Sequence, residues 1–160
     1  MRLNYQDGCY YEGDVKYGKR DGRGVYTFAS GARYDGEWKD DKMNGYGEYT
    51  YTNGDRYEGE WEDNTRCGRG VYAIAGGDRY DGEWKDDVPH GRGILYFPNG
   101  ARYDGEYKDG VRTGHGVYTY ANGNRYDGEF KDDKPNGHGV LTYASGERIE
   151  GLWVNGNLQK

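Results

Sequence analysis

Residues Tyr34 to Arg56 read YDGEWKDDKMNGYGEYTYTNGDR, and the chain then writes the phrase again as YEGEWEDNTRCGRGVYAIAGGDR from Tyr57 and YDGEWKDDVPHGRGILYFPNGAR from Tyr80. The period is 23 residues, without insertion or deletion, with openings at Tyr11, Tyr34, Tyr57, Tyr80, Tyr103, Tyr126 and, incompletely, Ile149. With each repeat numbered from its opening residue, glycine recurs at positions 3, 12, 14 and 21, as in Gly36, Gly45, Gly47 and Gly54. Counted backwards, Gly8, Tyr5 and Leu3 fall at positions 21, 18 and 16. The chain therefore reads as one array: a half repeat at 1–10, full repeats at 11–33, 34–56, 57–79, 80–102, 103–125 and 126–148, and a half repeat at 149–160. A period this short is one supersecondary unit that shares its core with its neighbours.

The glycine density excludes helix. YDGEW and GEYTY are short, aromatic and bounded by turn residues, which predicts strands. Position 8 is Gly, Asp or Asn in every full repeat, the residue types that tolerate a positive φ. A hairpin turn between positions 8 and 9 makes residues whose positions sum to 17 face each other. Trp38 would then lie over Gly45, Trp61 over Gly68 and Trp84 over Gly91, rings resting on bare glycine. Tyr34 would meet Tyr49, and Tyr57 would meet Tyr72. On the opposite face Glu60 would pair with Arg69, Glu83 with Arg92, Asp14 with Arg23, Glu106 with His115 and Glu129 with His138, while Glu37 would meet Tyr46. The segments TNGDR, PNGAR, ANGNR and ASGER join the repeats. Keeping position 18 on the same face as the next opening tyrosine requires an odd-numbered loop or a bulge there.

These residues resemble a known family. The pattern YxGxWxxGxxxGxGxxxxxxGxx is that of the MORN (membrane occupation and recognition nexus) repeat, and the resemblance covers nearly the whole chain. It implies an all-β fold: an elongated, twisted, single-layer antiparallel meander of β-hairpins, about fourteen strands, with a groove along one face. At the usual strand spacing such a sheet would run roughly 65 Å. In the family, catalysis comes from other domains attached to such arrays, and some members engage acidic phospholipids.

Composition narrows the function. The net charge of −6 opposes a phosphate-backbone binder. No apolar run is long enough to span a membrane, and MRLNYQDGCYYEG has no secretory-leader core. Cys9 and Cys67 make neither a disulfide framework nor a metal spacing, and read as reduced cysteines of a cytosolic protein. His90, His115 and His138 are far apart in sequence, with no nucleophile beside them. Asp40-Asp41, Asp86-Asp87 and Asp132-Asp133 lack calcium-loop spacing. The Gly-x-Gly pairs precede no helix. No catalytic residue, metal or cofactor is expected.

Rings at positions 1, 5, 16 and 18 share one face, and no amphipathic helix is present in the sequence to cover it. Exposed aromatic surface rimmed by charge marks an interaction site. Trp38, Trp61, Trp84, Tyr107 and Phe130, with Tyr57, Tyr80 and Tyr103, are the candidate groove for a helix or extended segment of a partner protein. At the C-terminal edge, IEGLWVNG replaces the usual Glu and Lys by Leu152 and Val154. Ile149, Leu152, Trp153 and Val154 make a candidate self-association edge, or else a capping repeat whose polar face has drifted. The expectation is a non-enzymatic scaffold, cytoplasmic and, from the resemblance, in a cytoskeletal, ciliary or membrane-adjacent assembly. The alternative is an acidic-phospholipid-binding tether using Lys39, Lys85, Arg69, Arg92, Arg56 and Arg102. Acidic neighbours interrupt each of those cations.

Overall fold

The computed structural model describes residues 1–159. The strands are β1 Arg2–Asn4, β2 Tyr10–Lys16, β3 Lys19–Thr27, β4 Arg33–Lys39, β5 Lys42–Thr50, β6 Arg56–Glu62, β7 Thr65–Ala73, β8 Arg79–Lys85, β9 Val88–Tyr96, β10 Arg102–Lys108, β11 Val111–Thr119, β12 Arg125–Lys131, β13 Lys134–Thr142, β14 Arg148–Val154 and β15 Asn157–Leu158. Among the described residues there is no helix. Strand order follows chain order in one open sheet, an all-β antiparallel meander of hairpins. There is one strand more than expected. Asn155 and Gly156, both at positive φ, make a hairpin turn in the incomplete last repeat, and β15 pairs back onto β14 through Trp153–Leu158 and Val154–Asn157. By contacts the chain divides into two compact units, Met1–Ala75 with Trp84–Asp87, and Gly76–Glu83 with the chain from Val88 on.

Within a repeat the hairpin turn lies one residue earlier than the spacing predicts. It occupies positions 7 and 8, as Asp40-Asp41 and Asp63-Asn64, with both residues at positive φ. Two left-handed residues match the right-handed twist of the strands they join. Lys39 therefore pairs with Lys42 and Trp38 with Met43. The second strand of each hairpin is two residues longer than the first, so a bulge follows. Beyond it the register sums to 17 as expected, with Gly36 opposite Gly47 and Tyr34 opposite Tyr49. Gly45 sits in the bulge at φ 102, a conformation side chains resist.

The expected pairs of Trp38, Trp61 and Trp84 with the glycine of their own hairpin are thereby corrected. The register partner of Trp38 across the neighbouring hairpin is Gly22, and that of Trp61 is Gly45, each from the preceding repeat. The expected salt bridges across the polar face are corrected too. The bulge turns the backbone N–H of position 13 toward the carboxylate at position 4. Arg23, Arg69, Arg92, His115 and His138 donate that N–H to Asp14, Glu60, Glu83, Glu106 and Glu129 at 2.5–2.9 Å. Tyr46 donates to Glu37 in the same way. The side chains at position 13 reach diagonally to position 2 of the next repeat: His115 to Asp127 at 2.7 Å, His138 to Glu150 at 3.0 Å and Tyr46 to Glu58 at 2.5 Å.

Between repeats the loop is odd, as face parity requires. Tyr51 N–H donates to Asp55 O across three residues, Gly54 N–H closes an inner turn on Tyr51 O, and Gly54 takes φ 93. That is a type I turn followed by a glycine bulge.

The core is a row of rings laid on glycine. Tyr11, Tyr34, Tyr57, Tyr103 and Tyr126 are essentially inaccessible. Each lies over the glycine at position 14 of its own repeat, where an added Cβ would overlap the ring. Their hydroxyls donate to the carbonyl of position 4, as Tyr34 to Glu37 at 2.9 Å and Tyr103 to Glu106 at 2.8 Å. The indoles of Trp38, Trp61 and Trp84 donate to Gly24, Gly47 and Gly70 at 3.0–3.2 Å. A buried Tyr or Trp needs such a partner for its polar end.

Candidate functional site: the aromatic face

Position-1 and position-5 rings alternate edge to face. Tyr34 sits between Trp38 at 5.1 Å and Trp61 at 5.5 Å, with interplanar angles of 85° and 89°. Tyr57 sits likewise between Trp61 and Trp84, and Tyr103 between Tyr107 and Phe130. This interlocking buries the rings that the sequence nominates as groove anchors. Trp38, Trp61, Trp84, Tyr107, Phe130, Tyr57, Tyr80 and Tyr103 are all 7% exposed or less.

What solvent reaches is a second row, at positions 16 and 18. In the first unit its rings run Tyr5, Tyr26, Phe28, Tyr49, Tyr51, Tyr72, with successive centroids 4.5–5.7 Å apart and tilts of 34–59°. In the second unit Phe97, Tyr118 and Tyr120 continue the pattern at 5.7 and 4.7 Å. Tyr5, Ile74 and Tyr120 are exposed, and the other rings of this row are half-buried. They rest on the buried row: Tyr49 lies 5.9 Å from Trp61 and Tyr26 5.9 Å from Trp38. Burial pushes the phenols of Tyr49, Tyr51 and Tyr120 above their ordinary value.

Charge enters this face at Asp55, whose carboxylate accepts the Tyr72 hydroxyl at 3.0 Å, and at position 10, which the spacing did not single out. Position 10 is arginine in alternate repeats, as Arg20, Arg66 and Arg112, and Met43, Pro89 or Pro135 in the others. Arg66 donates N–H and Nε–H to Asp87 Oδ1 at 2.7 and 3.1 Å, and Nη2–H to Asp87 O at 2.7 Å. Arg20 does the same to Asp41, and Arg112 to Asp133. Each guanidinium lies among rings: Arg66 is 4.7 Å from Trp84 and 5.4 Å from Tyr72, and Arg20 is 4.7 Å from Trp38 and 4.9 Å from Tyr26. Burial opposes ionisation of Asp41, but bonds from Arg20 outweigh it and hold its carboxyl below the ordinary value. The matching alternation of Asp at position 8 was readable in the sequence as a period of two repeats.

The C-terminal edge residues separate. Trp153 is buried, with its indole on Gly139 O at 3.4 Å, and Ile149 is half-buried. Leu152 and Val154 are exposed. Cys9 and Cys67 are free thiols. Cys9 is buried and accepts the Ala29 N–H at 3.4 Å, while burial pushes the Cys67 thiol up. Among the described residues no group of three His, Cys, Asp or Glu is placed to hold a metal. Among the described residues no helix is long and apolar enough to cross a membrane.

A family profile described as MORN repeat matches residues 11–33, 34–56, 57–79, 80–102, 103–125 and 126–148. No curated protein sequence matches the chain. Among solved structures the chain is similar to the Drosophila melanogaster SAS-4 (dCPAP) TCP domain, solved in complex with a proline-rich motif of Ana2 (dSTIL). Identity is 17% and the TM-score is 0.54, over 95% of this chain and 77% of that one. The Danio rerio CPAP TCP10 domain, in complex with a peptide of STIL, matches at 16% identity and a TM-score of 0.39, over 95% and 74%.

Proposed function

The chain belongs to the MORN repeat family, and from that premise we propose that it is a non-enzymatic scaffold whose aromatic face holds an extended, proline-rich segment of a partner protein. The observation that carries this reading is the ring ladder from the exposed Tyr5 through the half-buried Tyr26 to Tyr72, backed by the buried tyrosine–tryptophan row. Tilted rings about a residue's width apart offer clefts that accept pyrrolidine rings, the mode by which polyproline segments dock. The geometry favours an extended segment over a helix. Two strands advance a sheet by about 9.6 Å, and one polyproline turn of three residues advances about 9.3 Å. A polyproline segment running across the strands thus meets each repeat with the same face. The TCP domain that resembles this fold was solved holding a proline-rich motif, which supports the same reading. The proposed setting is the one the family resemblance implies, a cytoskeletal, ciliary or membrane-adjacent assembly.

The test is calorimetric titration of an all-proline peptide into wild type and into a Tyr49→Ala/Tyr51→Ala variant. Circular dichroism checks that both are folded. The reading expects binding to wild type and a loss of about tenfold or more in the variant. Equal binding by both proteins, or none, overturns it. Vesicles containing phosphatidylserine form a separate arm. Binding there that collapses with salt would favour the lipid-tether alternative.

A further inference from the structure

We infer that the segment held on this face carries an acidic side chain every six residues, and that Arg20 and Arg66 read it; this rests on the polyproline reading above. Arg20 and Arg66 belong to the same unit and stand two repeats apart in sequence. Each donates two of its five side-chain N–H groups to its aspartate, and its Nη1 makes no protein hydrogen bond among the described residues. The aspartate occupies the Nε side of the guanidinium. The opposite edge keeps donors that water serves in the free protein, with the side chains still 18% and 19% exposed.

A segment covering the ring ladder takes that water away. Each donor left unpaired on burial weakens binding, so an occupant that supplies acceptors at both arginines binds more tightly than one that does not. A carboxylate matches the planar fork and makes the stronger, charge-assisted bonds. The ring faces around each guanidinium hold the cation in place. Met43 fills the equivalent place in the repeat between, so that station takes an apolar or proline residue. Four strand spacings separate the two arginine stations by about 19 Å, and two polyproline turns span about 18.6 Å. The pattern is therefore an acid, two spacers, an apolar residue, two spacers and an acid again.

Three polyproline peptides test this against wild type and an Arg20→Gln/Arg66→Gln variant. One has two glutamates six residues apart, one has glutamines at those places, and one has two glutamates four residues apart. The expected result is at least about tenfold tighter binding of the six-spaced glutamate peptide to wild type. The preference should shrink with added salt and vanish in the variant, which still binds the glutamine peptide. Equal affinity for glutamate and glutamine peptides, indifference to spacing, or a preference that survives in the variant overturns the inference while leaving the polyproline reading intact. Failure of all three peptides to bind wild type overturns both.

Discussion

The ring of Tyr57 occupies the space in which Gly70 would carry a side chain. Its hydroxyl passes over that glycine to donate to Glu60 O at 2.9 Å. A Cβ at Gly70 would overlap the ring itself, backed on both sides by Trp61 and Trp84. Gly70→Ala is therefore expected to destabilise the fold by about 1–3 kcal/mol, read as a lower urea midpoint. Tyr57→Phe, which removes only the bond, should cost about 1 kcal/mol.

Tyr107 breaks the pattern in the opposite sense. It stands where three other full repeats and the C-terminal half repeat place tryptophan, and its buried hydroxyl has no hydrogen-bond partner among the described residues. Phe130 fills the same place in the next repeat without a hydroxyl. Tyr107→Phe should raise the unfolding free energy by about 1 kcal/mol. An unchanged or lower Tm would show that the hydroxyl finds an acceptor in solution.

The buried phenols make the fold alkali-labile. Burial first, then nearby carboxylates, pushes Tyr11 and Tyr126 up from 10.0 to about 12. Burial does the same to Tyr103, against the charge of Arg112. Above the unfolded value the unfolded chain releases protons that the folded chain retains, so stability falls as pH rises from 10 towards 12. Tyrosinate absorbance should thus rise in two stages, exposed phenols first, and the core phenols together with loss of the near-ultraviolet dichroism of the rings. A single smooth titration of a chain that stays folded would contradict this.

Asp41 gives the acid counterpart. Its depressed carboxyl stabilises the fold above the ordinary value of 3.8, and that contribution is lost as pH falls through the lower folded value. Asp41→Asn should lower the Tm at neutral pH and flatten its dependence on pH below about 4. Parallel Tm–pH curves for the two proteins would place the stabilisation in the turn geometry instead of the charge.

Much of this was legible in the repeat. The opening tyrosines and recurring glycines state the period. Tyr34 lies opposite Tyr49 as the spacing predicts, but only because the bulge offsets the shifted turn. The odd loop at Thr52–Gly54 follows from face parity, because a strand's side chains alternate strictly. The hairpin turn did not follow. Asp41 and Asn64 signal a positive φ, but so do Asp40 and Asp63 beside them, and composition cannot choose between adjacent left-handed residues. The bulge that restores the register needs Glu37 to accept the Tyr46 N–H, a contact made only after the strands pair.

Which rings face water was likewise beyond the pattern. Trp61 and Tyr49 share one face and one chemistry. Trp61 is buried because it crosses to Gly45 of the preceding repeat and wedges between Tyr34 and Tyr57. Tyr49 is left stacked above it. Local periodicity dictated strands, faces and repeat length, because those depend on neighbours in sequence. The depth of each ring, and the meeting of Arg66 with Asp87, depend on residues a full repeat away, and only the packed sheet brings those together.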